Sequence, residues 1–205
     1  TYRRFAAEFG LQEQILAARQ AAQSGDTMLR PPLFRPRFPA LQFSLPQTGL
    51  PFIGRQEELD LLADRLADPQ CRLLTLTGPG GVGKTRLAVE AAAGQVGLLS
   101  DGVFFVALAS LSSAGLLPLR LADALRLNLY NAQDPRAQLL NYLREKRLLV
   151  VLDSFETLLS VDPEAVDLLV QILEQAPGVS LLVTSRQPLH LHQEWVYEVG
   201  ILPCP

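Results

Sequence analysis

The hydrophobic pattern changes period along the chain, and each change marks an element. Over residues 56–67 the apolar positions Leu59, Leu62, Ala63 and Leu66 recur at helical spacing, which predicts an amphipathic helix. Beyond it the apolar residues gather into short runs bounded by turn residues, at 71–77, 103–108, 148–152, 179–184 and 195–199. Such runs, apolar at successive positions, predict strands covered on both faces. Between them, residues 84–93, 116–127, 135–146 and 163–176 return to helical spacing. Strands alternating with helices predict an α/β fold with a parallel sheet and helices on both faces. Pro118 and Pro135 fit first turns, where the missing amide costs nothing.

The pattern before residue 50 differs. Six prolines (Pro31, Pro32, Pro36, Pro39, Pro46 and Pro51) crowd into residues 29–51. Proline lacks an amide hydrogen and turns its predecessor away from the helix, so 29–50 reads as an extended linker. Ahead of it, Phe5, Phe9, Ile15 and Leu16 stand in an Ala- and Gln-rich setting that predicts one or two helices broken near Gly10. The expected organisation is therefore a helical tail of a neighbouring domain at 1–28, the linker at 29–50, and one folded domain at 51–205. The chain starts at Thr1 and reads as a segment of a longer protein.

Composition narrows the classes. The 205 residues are 48% hydrophobic and 19% charged, which suits one globular domain with an appendage. The net charge is −3, from a local +3 in the first 50 residues and −6 in the rest. A domain that grips nucleic acid through phosphates usually carries a basic excess, so the body is not expected to bind it. No apolar run approaches the ~20 residues needed to span a bilayer, so no membrane is expected. Cys71 and Cys204 read as reduced thiols of a cytoplasmic protein.

The strongest chemical signal follows the first strand of the body. Gly78-Pro79-Gly80-Gly81-Val82-Gly83-Lys84-Thr85 fits G-x-x-x-x-G-K-[ST] at every fixed position. Glycines between strand and helix let successive amides turn inward around a phosphate, and the opening helix adds its positive end. Lys84 is placed to reach the β- and γ-phosphates, and the Thr85 hydroxyl to sit on Mg²⁺. Such a loop predicts a second strand ending in an acid. Leu148-Leu149-Val150-Val151-Leu152-Asp153 supplies it, with Asp153 on the metal side. The strand at 103–108 lies between the two motifs, which predicts the additional-strand class of P-loop NTPases with order 5-1-4-3-2. The following strand ends in Thr184-Ser185-Arg186, where Arg186 either faces the γ-phosphate or pairs with a carboxylate.

Five ordered motifs between residues 50 and 203 resemble the STAND signalling ATPases, NB-ARC-like and of the kind found in bacterial LuxR or antibiotic-regulatory transcription regulators. They are Phe52-Ile53-Gly54-Arg55 with Glu57-Glu58-Leu59, the loop extended through Arg86-Leu87-Ala88, Asp101-Gly102-Val103-Phe104-Phe105-Val106, Leu152-Asp153-Ser154-Phe155-Glu156 and Thr184-Ser185-Arg186-Gln187-Pro188-Leu189. The resemblance implies that the element at Ile53, Gly54 and Arg55 lines an adenine pocket. It also implies that Asp153 serves Mg²⁺ and that Arg186 senses the γ-phosphate. Winged-helix, sensor and effector parts of such proteins lie beyond this segment. One departure bears on catalysis: Ser154 stands where the family has Asn or Asp and vigorous ATPases have Glu, and a hydroxyl is a poor base at neutral pH. Glu156 could position water or simply open a helix.

The expected function is an ATP/ADP-binding regulatory switch with slow, Mg²⁺-dependent hydrolysis, using Lys84, Asp153, Arg186 and Glu156. Its partners would be adenine nucleotide, further domains of the same chain and, with ATP, copies of itself. The alternatives are an assembly scaffold that binds nucleotide without hydrolysis, and a small-molecule phosphotransferase. The phosphotransferase needs a lid after Arg186, where the sequence offers only Gln187-Pro188-Leu189-His190. His190 and His192 lack a partner at metal spacing and read as packing or surface residues. Trp195 and Tyr197 are expected to anchor the last strand to the core.

Overall fold

The computed structural model describes residues 43–46, 52, 54–129, 134–162 and 165–201. The helical tail, most of the Pro-rich stretch, Ile53 and Cys204 lie outside the described residues. The described part is a parallel sheet with a helical layer on each face. Its strands are β1 (Phe43–Ser44), β2 (Leu73–Thr77), β3 (Gly102–Ala107), β4 (Leu148–Asp153), β5 (Val179–Thr184) and β6 (Glu194–Glu198). Its helices are α1 (Gln56–Ala67), α2 (Lys84–Ala93), α3 (Leu117–Ala124), α4 (Pro135–Leu143), α5 (Glu156–Val161) and α6 (Val166–Gln175).

The sheet order is β1-β3-β4-β5-β2-β6, every pair parallel. Without β1 this is the order the inserted strand predicts, read from the other edge. β1 adds a short strand beside β3, pairing Phe43 with Val103 and Ser44 with Phe104. It comes from within residues 29–50, so that stretch contributes a strand to the sheet.

Alternation along each strand divides two cores. Leu148, Val150 and Leu152 of β4 face one cluster with Leu121, Leu143, Leu169 and Ile172 of α3, α4 and α6. Leu149 and Val151 face the other, with Leu62 of α1 and Leu87, Ala88 and Ala91 of α2. A strand buried on both faces cannot show a polar alternation, which is why these runs read as continuous apolar stretches.

The stretch expected as one helix over 163–176 is α6, and a separate short α5 precedes it. α5 ends where Asp162 turns extended, at φ −150° and ψ 100°, and upstream of it Ser154 turns the chain out of β4 at φ 64°. The far end of α6 is closed by Arg72. Its guanidinium donates to the carbonyls of Leu173 and Ala176, each at 2.6 Å, and of Val179 at 2.8 Å. Those are carbonyls that a helix end otherwise leaves unpaired. Burial lowers the Arg72 pKa from its usual value.

β6 corrects one expectation. Tyr197 packs with the second core, under Arg65, whose guanidinium carbon lies 5.6 Å from the ring centre. Trp195 is exposed at 36%. Among the described residues β6 is an edge strand, and an edge is covered only where a helix reaches it.

Candidate nucleotide-binding site

The glycine-rich loop joins β2 to α2 at the carboxyl edge of the sheet, where ligands of such folds bind. Gly78 opens it at φ +142°, and a Cβ there would stand 2.9 Å from the Val199 carbonyl oxygen. The residue after β6 therefore lies directly on the first loop glycine, and Val199 N donates to Thr77 O at 2.8 Å. Gly83 caps α2 at φ +98°, and a side chain on it would meet open space. The same holds at Gly81. The loop is thus a glycine cradle, backed at Gly78 by Val199 and unobstructed around Gly81 and Gly83.

Lys84 begins α2, is only 9% exposed, and donates to Gly78 O at 2.8 Å and Pro79 O at 2.9 Å. Its ammonium is held by loop carbonyls rather than by a carboxylate. Thr85 Oγ1 donates to Asp153 Oδ1 at 2.6 Å. The Thr184 hydroxyl donates to the same oxygen at 2.7 Å and accepts the Ser154 amide at 2.9 Å. Three adjacent strand and loop ends thereby converge on one carboxylate. Hard hydroxyl and carboxylate oxygens beside an open anion cradle fit Mg²⁺ and a polyphosphate.

Arg186 follows β5, its side chain 70% exposed, with Nε 3.4 Å from Glu156 Oε1. Its Nη2 lies 3.8 Å from the point a Cβ on Gly80 would occupy, so the guanidinium spans the gap between Glu156 and the loop. Glu156 Oε2 is buried and has no hydrogen-bond partner among the described residues.

A second set of contacts fastens the loop from outside. Arg55 sits at the N-cap of α1 with φ 59°, after Gly54 at φ 77°. Its side chain, 5% exposed, pairs with Glu58 Oε1 at 3.1 Å. Nη2 donates to the carbonyls of Val82 and Gly200, each at 2.9 Å. The guanidinium joins the start of α1, the phosphate loop and the chain leaving β6. Nearby, burial and the Glu58 carboxylate hold the Tyr197 phenol above its usual pKa, against Arg55 and Arg65. Arg86 lies over the Phe52 ring at 5.7 Å. His190 and His192 are exposed.

The sequence-predicted residues Lys84, Thr85, Asp153, Arg186 and Glu156 thus meet at one edge, with Arg55 behind the loop. Thr184 was missed, although it stands one residue before the Ser185-Arg186 pair at the end of its strand. A cavity of about 300 Å³ lined by Pro118, Arg136 and Asp167 contains none of these residues.

Comparison with known proteins agrees with this fold. The NACHT domain model matches residues 72–196, from the start of β2 into β6. A protein of Mycobacterium tuberculosis (strain ATCC 25618 / H37Rv), provisionally named an HTH-type transcriptional regulator, is 36% identical over 130 residues. That match covers 63% of this chain and 14% of the relative. An uncharacterized protein of the same strain is 30% identical over 168 residues, covering 82% of this chain and 42% of its own length. The chain therefore spans less than half of either relative. Among solved structures, Drosophila ORC bound to DNA superposes with a TM-score of 0.55 at 17% identity, over 71% of this chain and 42% of that one. At that identity the likeness is one of fold.

Proposed function

The chain belongs to the NACHT family of STAND P-loop NTPases, and from that premise we propose that it binds ATP and ADP with Mg²⁺ as the switch of a larger regulator. The observation that carries the reading is the 2.6 Å bond from Thr85 to Asp153, which brings a loop hydroxyl and a strand-end carboxylate together beside an open cradle. In this reading the loop amides and Lys84 hold the phosphates. Thr85 and Asp153 hold Mg²⁺, which supplies charge neutralisation to the phosphate oxygens. Arg186 distinguishes three phosphates from two, and Ile53, Gly54 and Arg55 border the base.

The reaction is slow transfer of the γ-phosphoryl group to water, breaking its bond to the β-phosphate oxygen. Slowness follows from Ser154, whose hydroxyl cannot take the water's proton as a carboxylate would. Glu156 is the remaining acid within reach of that role. The name of the 36%-identical relative supports an output in transcription regulation. Among the described residues no helix is long and apolar enough to cross a membrane, which is compatible with a cytoplasmic setting. Further partners in this reading are domains of the same chain and, with ATP bound, other copies of it.

The purified protein is tested by mass spectrometry of the co-purifying nucleotide and by calorimetry with ATP and ADP. Lys84→Ala should abolish binding while leaving the circular dichroism of the sheet intact, a loss of ~2–5 kcal/mol of binding for a desolvated charge contact. Equal binding by variant and wild type would end the reading. A phosphate-release assay separates hydrolysis from a scaffold that only binds: turnover should fall well below about 1 s⁻¹.

A further inference from the structure

The Arg186–Glu156 pair has an arrangement that the nucleotide reading alone does not require. Arg186 uses Nε toward Glu156 at 3.4 Å and turns Nη2 toward Gly80 of the loop. One edge of the guanidinium is committed to a carboxylate while another faces the cradle. The Glu156 side chain is only 23% exposed, and its second oxygen is buried without a hydrogen-bond donor among the described residues. A buried acceptor with no donor is unfavourable, and an ion pair whose arginine is 70% exposed contributes little to offset it. The contact is therefore weak at both ends.

We propose that Glu156 is a latch on Arg186, which the third phosphate of ATP must displace. This rests on the nucleotide reading of the same site. A phosphate oxygen in the cradle carries more charge than one carboxylate oxygen at 3.4 Å and makes shorter bonds to a guanidinium. Arg186 therefore transfers from Glu156 to the phosphate when ATP binds, and returns when only ADP is present. Glu156 is released in the same exchange, its orphaned oxygen free to accept a hydrogen bond from water beside the phosphate. The pair thus opposes ATP specifically. A ligand shifts such an equilibrium only by its unequal affinity for the two states, and ADP has no group to compete for Arg186.

The test is isothermal calorimetry of the whole chain with ATP-Mg, its non-hydrolysable analogue and ADP-Mg. Three variants are used: Glu156→Gln, Arg186→Ala and the double variant. Removing the latch charge should tighten ATP and analogue by about two- to fivefold, the scale of an exposed ion pair, with ADP unchanged. The gain should vanish in the Arg186→Ala background, since no guanidinium remains to be freed. Circular dichroism of each variant checks that the fold persists. An unchanged or weakened ATP affinity in a folded Glu156→Gln variant overturns the latch while leaving the nucleotide site standing. So does an equal gain for ADP, or a gain that persists without Arg186. If wild type binds none of the three ligands, the nucleotide reading itself fails and the latch fails with it.

Discussion

Thr85 and Asp153 share a 2.6 Å hydrogen bond, and Asp153 Oδ1 accepts the Thr184 hydroxyl as well. One oxygen thus satisfies two hydroxyls, one from the first turn of α2 and one from the end of β5, and the carboxylate is held at the mouth of the loop. Asp153→Asn keeps the shape and removes the charge. The variant should stay folded, with a melting temperature lower by a few degrees, a change of about 1 kcal/mol. Its ATP affinity should no longer respond to Mg²⁺. Calorimetry with and without the metal is the check, and a wild-type Mg²⁺ response would move the metal elsewhere.

Arg186→Ala addresses nucleotide discrimination. A hydrogen bond to a charged group contributes ~1.5–3 kcal/mol, and 1.4 kcal/mol is a factor of ten. The variant should bind ATP about ten- to a hundredfold more weakly and ADP nearly as wild type does. Because Arg186 is paired, among the described residues, only with Glu156 through an exposed contact, the variant's melting temperature without nucleotide should hardly move. Parallel losses for both nucleotides would make Arg186 a general brace.

Gly78→Ala should be the most damaging change in the loop. The position has φ +142° and faces the Val199 backbone oxygen, which cannot swing away as a side chain could. Strain of this kind costs about 1–3 kcal/mol, and the contact between loop and β6 should loosen with it. Gly80→Ala is the control, since its Cβ meets only the mobile end of Arg186 at 3.8 Å. Thermal denaturation of the two variants should separate them clearly; equal melting temperatures would remove the claim.

Cys71 is 1% exposed, and burial pushes its thiol up to about 11, with Arg65 opposing. In a Cys204→Ser background the folded protein should react with a thiol reagent at neutral pH about a hundredfold more slowly than after unfolding. The sign of the stability effect follows from proton counts. Above the unfolded value the unfolded chain has lost the proton that the folded chain retains. Stability therefore falls as pH rises from about 9 toward 11. Rapid labelling of the native protein at neutral pH would show that this end of β2 opens.

Asp101 and Lys146 form a different kind of contact, at 3.0 Å. Burial raises the Asp101 carboxyl, but the Arg147 amide, Lys146 and the Ser100 hydroxyl together outweigh it and leave the group below its usual value. Hydrogen bonding to Asp101 raises Lys146. Asp101 stands just before β3, beside the residues that lead into β4, and lies in the stretch that resembles a signalling-ATPase motif. Its role at this point of the fold is the tie to residues 146–147.

The sequence by itself determined what depends on neighbours along the chain. The loop was legible because its chemistry demands glycines, a lysine and a threonine at fixed spacing. The strands were legible because burial on both faces leaves short, wholly apolar runs. Even the strand order followed, since an extra strand between the two motifs leaves few ways to bring Asp153 toward Thr85. Only the tertiary structure decided the rest. Arg55 meets Gly200 across 145 positions because the start of α1 lies against the chain leaving β6, and Thr184 meets Asp153 across 31 because β5 pairs with β4. Nothing in a local pattern says which hydroxyl will face which carboxylate. The same holds for β1 at the sheet edge, for exposed Trp195 on an apolar strand, and for Arg186 reaching Glu156. Spacing along the chain encodes which groups are present; the packing of β2, β4, β5 and β6 around one edge decides which of them touch.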